Sequence, residues 1–251
     1  MFEVAYLTDV GLKREHNEDA ILIDKRSGMF IVADGMGGHE KGEIASKILV
    51  ESFYATINNN QYIDFGRDED TIVPSTGIED ELNHAVESAS KKMITYAEDK
   101  DIEGTIGTTV VGIKYMSTIQ AWALFHLGDS RAYLFNDNSL LQLTVDHSRY
   151  EAMKQQNIPE DNTQKKGKNV ITKAIGNFKP FALDIQYITT KKDSILLLCS
   201  DGVSDLCSND ELLLLIIQYR YDLNTLCMQI KNLVYSRGAK DNLSIIAIKI
   251  K

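Results

Sequence analysis

The chain has 251 residues, with 36 acidic against 27 basic side chains and a formal net charge of −9 at pH 7. Hydrophobic residues make up 43%, charged residues 25%, and prolines number 3, which excludes a disordered chain and leaves ample material for a core. The acidic balance argues against broad nucleic-acid binding and against docking on an anionic membrane, both of which need a basic face.

Periodicity predicts strands over Phe2–Thr8, Ala20–Asp24 and Met29–Ala33. A helix is expected from near Gly38 to about Ile57, with Ile44, Ile48, Leu49, Phe53 and Ile57 in one apolar stripe. Residues Asn58–Thr76 are polar and read as a loop. A second helix is expected from about Ile78 to Glu98, burying Leu82, Ala85, Val86, Ala89 and Met93. Strands Thr108–Tyr115, Ile119–Leu127, Arg131–Phe135 and Ser139–Leu143 follow at short separations, the pattern of an antiparallel meander. The stretch Asp146–Val170, with its basic Lys165-Lys166-Gly167-Lys168 run, reads as a mobile excursion. Strands Leu183–Ile188 and Ser194–Cys199, helices near Asp210–Tyr219 and Leu223–Ser236, and a strand Leu243–Ile250 complete the chain. No linker divides it, so one domain over 1–251 is expected.

The first residues, Met1 to Asp9, lack the basic region of a signal peptide. The longest apolar runs are about six residues, as in Leu212–Ile217, far short of the roughly 18 needed to span a membrane. Cys199, Cys207 and Cys227 form no Cys-x-x-Cys pair, so a cytoplasmic chain with reduced thiols is expected. Serine-hydrolase elbows, phosphate-binding Gly-Lys loops and zinc-protease His pairs are absent from the sequence. Six residues after the cysteines stand Asp205, Leu213 and Leu233, none of them the arginine that a cysteine-dependent phosphatase needs.

Acids mark the strand ends. Asp34, Asp129 and Asp201 each end a strongly apolar strand, beside Gly35, Gly128 and Gly202, and Asp241 directly precedes the last strand. A single aspartate of this kind reads as a turn or helix cap. Several at one sheet edge would repel one another unless a cation sat among them. With oxygen donors only, the fitting ions are hard and divalent, Mg²⁺ or Mn²⁺.

Eight segments, in order, resemble the PPM-type (2C class) family of metal-dependent Ser/Thr protein phosphatases in its bacterial form. They are Asp9–Asp19 (with Arg14, Glu18 and Asp19), Val32–His39, Gly107–Thr109, His126–Tyr133, Leu143–Ser148, Ile171–Gly176, Cys199–Asp205 and Lys240–Ser244. The resemblance implies an α+β fold: a four-layer αββα sandwich, two central antiparallel β-sheets flanked by helix pairs. It implies a binuclear centre of Mn²⁺ or Mg²⁺ in which Asp34 bridges the ions, Gly35 offers its carbonyl, and Asp201 and Asp241 bind. Glu18 and Asp19 would contact metal-bound water. Asp129, Asp201 and Asp205 would form a third, weaker site, and Arg14 would grip the phosphate. A metal-activated hydroxide would then attack phosphorus in line. The excursion over 146–170 would be the family's flap. Expected partners are phosphorylated proteins, substrates of a bacterial Ser/Thr kinase, and the enzyme is expected to be monomeric.

Other residues carry weaker assignments. His39 is a possible general acid, although Met36 takes the place next to the metal Asp-Gly where some members carry that histidine. His126, in an apolar strand, is expected to be a satisfied core residue, and His147 to order the start of the excursion. Cys199 follows four apolar residues and is expected to be core, not reactive. The Gly35-x-Gly37-x-x-Glu40 pattern lacks the third glycine of a dinucleotide loop, and Asp68–Thr71 reads as a solvated charge run. Two rival functions remain, a catalytically dead phosphoprotein binder and a phosphatase acting on a sigma-factor antagonist. The first predicts loss of metal aspartates, and the second predicts extra sensor domains.

Overall fold

The computed structural model describes residues 2–37, 41–59, 77–155, 170–176, 178 and 181–251. Its central strands are buried on both faces, Ala121–Leu127 and Ile195–Cys199 at every position. β1 (Phe2–Asp9), β12 (Leu243–Ile250), β11 (Ile195–Cys199), β7 (Arg131–Asn136) and β8 (Ser139–Gln142) form one antiparallel sheet in the order β1-β12-β11-β7-β8. The second sheet runs β10-β6-β5-β3-β4-β9, with β2 also paired to β3. Its strands are β2 (Asp19–Asp24), β3 (Met29–Met36), β4 (Gly107–Thr108), β5 (Val110–Met116), β6 (Ala121–Leu127), β9 (Ile175–Gly176) and β10 (Asp184–Ile188).

Parity sorts the side chains into three apolar layers. On β3, Phe30 and Val32 face the other sheet, where they meet Leu196 and Leu198 of β11 and Ile246 and Ile248 of β12. The alternate residues Met29, Ile31 and Ala33 face α1 (Lys41–Asn59) and α2 (Ile78–Asp99), packing on Leu49, Phe53, Leu82 and Met93. Across the molecule, Leu197, Cys199 and Ile245 meet Leu212 and Ile216 of α5 (Asn209–Tyr219) and Ile230 and Val234 of α6 (Leu223–Ser236). This is the expected αββα sandwich. Cys199 is fully buried, and burial pushes its thiol up to about 12, in keeping with a core role.

Four differences from the sequence reading have physical reasons. First, the strands at 108–143 are not one meander. β5 and β6 pair in one sheet and β7 and β8 in the other, the chain crossing between them at Gly128–Asp129. Gly128 makes the crossing with φ +119, where an added Cβ would lie 2.6 Å from Thr109 Cβ. Second, the expected strand 108–115 is broken at Thr109, whose N–H turns away to Asp34 O at 2.8 Å. Third, β6 begins at Ala121 because Gln120 adopts φ 51 in the preceding turn. Fourth, the excursion opens with a helix, α3 (Arg149–Gln155), and a further short helix α4 (Asp201–Ser204) follows β11. The expected loop Asn58–Thr76, the Lys165–Lys168 run and Asp68–Thr71 lie wholly or mostly outside the described residues.

Candidate metal centre

The apolar gap between the sheets ends in acids. Asp34 has the parity of Phe30 and Val32, so it closes the inter-sheet face of β3. Asp19 on β2 stands directly opposite it in register, on the same face. From the other sheet, Ser200 and Asp201 extend β11 into α4, and Asp241 and Asn242 lead into β12. Asp129 enters at the crossing after β6.

Hydrogen bonds join these pieces. Asp34 N–H donates to Thr109 Oγ1 at 3.1 Å, and Thr109 and Ser130 hydroxyls lie 2.8 Å apart. Thr109 Oγ1 thus ties Asp34 to the Asp129 turn through Ser130. Ser200 donates to Asp19 Oδ2 at 2.8 Å while accepting from Ser244 N–H at 2.9 Å. The loop from Val10 to Glu18 is stitched by Asn242: its Nδ2 donates to Val10 O and His16 O, each at 2.9 Å, and its Oδ1 accepts from Glu18 N–H at 2.8 Å. Gly35 N–H donates to Glu18 O at 3.1 Å. A Cβ on Gly35 would stand 2.1 Å from Gly42 O, so only glycine admits the start of α1 here.

Such crowding shifts protonation. Burial, followed by the neighbouring charges of Asp19, Asp201 and Asp129, raises the Asp34 carboxyl well above its usual range. Desolvation, reinforced by neighbouring acids, raises Asp19 to about 7, Asp129 to about 7 and Asp201 to about 6. Glu18 is raised as well, mainly by burial. Oδ1 of Asp19 and Oδ1 of Asp129 are buried without a hydrogen-bond partner. Unpartnered carboxylate oxygens among mutually repelling acids fit a divalent cation, since it supplies the missing partner and removes the repulsion together.

The structure brings Asp19, Asp34, Asp129 and Asp201 into one mouth. Asp129, Asp201 and Asp205 line a cavity of about 320 Å³ together with Asp146 and Tyr150. Asp241 lies at the rim, where its carboxylate takes Arg14 Nη2 at 2.8 Å. This pairing places the expected phosphate-binding arginine on an expected metal ligand, with both side chains accessible. His39 lies outside the described residues. His126 is 5% exposed with Nε2 3.1 Å from Val145 O, the satisfied core histidine expected.

Several supporting residues carried no assigned role in the sequence reading. Arg131 forms a two-pronged pair with Asp146, Nε to Oδ1 at 2.8 Å and Nη2 to Oδ2 at 2.6 Å. Asp9 accepts from Lys231 Nζ and Tyr235 Oη, each at 2.5 Å, anchoring the loop that carries Arg14 onto α6. Polar residues inside otherwise apolar strand ends, such as Ser200, Asn242 and Ser244, were the available signal.

The family model described as Protein phosphatase 2C matches residues 13–232. Protein phosphatase PhpP of Streptococcus pneumoniae is 32% identical over 216 residues, covering 84% of this chain and 82% of its own. The serine/threonine phosphatase PstP/Ppp of Mycobacterium tuberculosis has a similar structure, with TM-score 0.84 at 24% identity over 100% of this chain and 99% of that one. A PstP catalytic domain in complex with two manganese ions has TM-score 0.80 at 25% identity, covering 100% and 99%. The chain belongs to the protein phosphatase 2C family.

Proposed function

We propose that the chain hydrolyses phosphoserine and phosphothreonine in proteins with divalent metal ions, acting as one catalytic unit over 1–251. The observation that carries this reading is the mouth itself: Asp19, Asp34, Asp129 and Asp201 gathered at one end of the sandwich, with two buried carboxylate oxygens lacking partners. Asp34, Asp201, Asp241 and the Gly35 carbonyl would hold two ions, Mn²⁺ or Mg²⁺, and Asp129 with Asp201 and Asp205 a third. Bound there, divalent ions supply an acidified water at neutral pH and neutralise phosphoryl charge.

The chain's own residues do the rest. Arg14 presents a planar set of donors matched to phosphoryl oxygens, and it is held at the rim through Asp241. Its charge stabilises the negative charge that spreads over those oxygens during transfer. Glu18 and Asp19 complete the ring of oxygen acceptors and orient water within it. The departing serine or threonine alkoxide needs a proton, from an acid side chain, for which His39 is one candidate, or from water held by the ions.

The substrates are phosphoproteins. We assign the chain to reversal of a bacterial Ser/Thr kinase, as a cytoplasmic monomer. The bacterial phosphatases it resembles and its three buried free cysteines support this setting. Retention of Asp34, Asp201 and Asp241 weighs against the catalytically dead phosphoprotein binder. The test is hydrolysis of a phosphothreonine peptide with Mn²⁺, with EDTA, and by Asp34→Asn. Turnover that needs Mn²⁺ and Asp34 is expected, and undiminished turnover in EDTA would overturn the reading.

A further inference from the structure

Behind the mouth, two imidazoles stack. The rings of His126 and His147 lie 4.8 Å apart at 10°. Asp184, directly opposite His126 across β10 and β6, completes a group of three potential metal ligands. Hydrogen bonding gives it another use. Gly128 N–H donates to His147 Nδ1 at 3.1 Å, which occupies that lone pair. A neutral ring must then carry its proton on Nε2, and Nε2 lies 3.0 Å from Asp184 Oδ2, to which it donates. The parallel rings direct their in-plane lone pairs along planes that do not converge. Burial lowers both imidazole pKa values and keeps the rings neutral. Lys173 Nζ, 3.8 Å from Asp184 Oδ1, balances the carboxylate.

His147 also grips Gly128 through its backbone, with His147 N–H donating to Gly128 O at 2.8 Å. Both backbone polar groups of Gly128 are therefore held by one residue. This glycine has φ +119 and precedes Asp129, whose carboxylate is buried with Oδ1 unpartnered. On the far side of Asp129, Ser130 is held by Thr109, which also holds Asp34.

We propose that His147, through Nδ1 accepting from Gly128 N–H, is a positioning residue that locks the Gly128–Asp129 turn and so aims the Asp129 carboxylate into the acidic mouth. This rests on the reading of Asp129 as a cation ligand. His147 is not a catalytic residue and binds no metal itself. Residues that orient a ligand in this way typically contribute about 10–100-fold in metal affinity.

The test compares His147→Asn, His147→Gln and His147→Ala in the full chain, with Asp129→Asn as reference. Asn places an amide oxygen where Nδ1 stood and keeps the Gly128 contact. Gln reaches toward Asp184 and gives that contact up. Exchange of the Gly128 amide is followed by NMR without metal, and Mn²⁺ binding by calorimetry. Wild-type-like exchange and binding are expected in H147N. In H147Q and H147A, exchange should be faster by about tenfold or more, and the weaker class of Mn²⁺ sites should lose about tenfold in affinity, approaching Asp129→Asn. If H147N behaves like H147A, or if all three exchange like wild type, the lock is overturned. A loosened Gly128 with unchanged weak-site affinity would overturn the aiming of Asp129. Weak-site binding unaffected by Asp129→Asn would overturn the ligand reading instead, a failure the metal-free amide measurement keeps separate.

Discussion

The middle and the mouth of the inter-sheet gap are built from the same strands and the same faces, yet they obey opposite energetics. On β3, Phe30 and Val32 are fully buried against the facing sheet and stabilise the fold by removing apolar surface from water. Asp34, next on that face, is pressed against like charges and is raised well above its usual pKa. One stretch of strand thus contributes stability, and the next gives it up to gather acids at the proposed cation site. The contrast teaches that function here occupies the end of a core, where layer parity persists but side-chain chemistry changes.

This comparison can be broken by matched substitutions. Phe30→Ala should cost about 3–5 kcal/mol in urea unfolding, from lost burial and the cavity left behind. Asp34→Asn, two positions of the same parity away, should lower phosphopeptide turnover by about 10³-fold or more, equivalent to about 4 kcal/mol. The same variant should melt higher than wild type in EDTA, because it removes a repelled charge; a lower melting temperature would break the comparison. Mn²⁺ at 100 times its dissociation constant should stabilise wild type by about 2.7 kcal/mol, read by thermal melts with and without the ion.

A smaller effect is expected from pH. Burial, reinforced by neighbouring acids, raises Asp19 and Asp129 to about 7 and Asp201 to about 6, from an ordinary value of 3.8. The folded protein holds protons that the unfolded chain releases above about pH 4. The stability linked to these protons is complete below that pH and is lost as pH rises through 7. Metal-free protein should therefore melt lower at pH 7.5 than at pH 5, with Mn²⁺ diminishing the difference. A metal-free melting temperature rising over that interval would refute the crowding. Smallest is Ser208→Ala: it removes the capping box in which Ser208 Oγ accepts from Glu211 N–H at 3.3 Å. It should cost about 1 kcal/mol in unfolding and lower turnover far less than Asp34→Asn.

What the sequence revealed follows from range. Met29–Ala33 ending in Asp34 and Ile195–Cys199 leading to Asp201 are local patterns, and each was legible as a buried strand delivering an acid. The αββα layering and the metal roles came from the resemblance of whole motifs. The crossing at Gly128 was hidden because a few residues between strands serve a hairpin and a change of sheet equally well. The Arg131–Asp146 pair joins residues 15 apart across an irregular segment, and Asp9 meets Lys231 and Tyr235 at separations of 222 and 226. Neither leaves a periodic trace, since charge pairing specifies chemistry and not spacing.

The pairing of β1 with β12, Phe2 against Ile250 through Asp9 against Leu243, has a temporal consequence. Arg14 and Glu18 are synthesised more than 200 residues before the strand that seats β1 and the carboxylate that holds Arg14, since Arg14 and Asp241 are 227 positions apart. Contacts of such long sequence separation form late and slowly. A nascent chain, or any fragment ending before Asp241, therefore lacks both the partner of Arg14 and the strand on which β1 is seated.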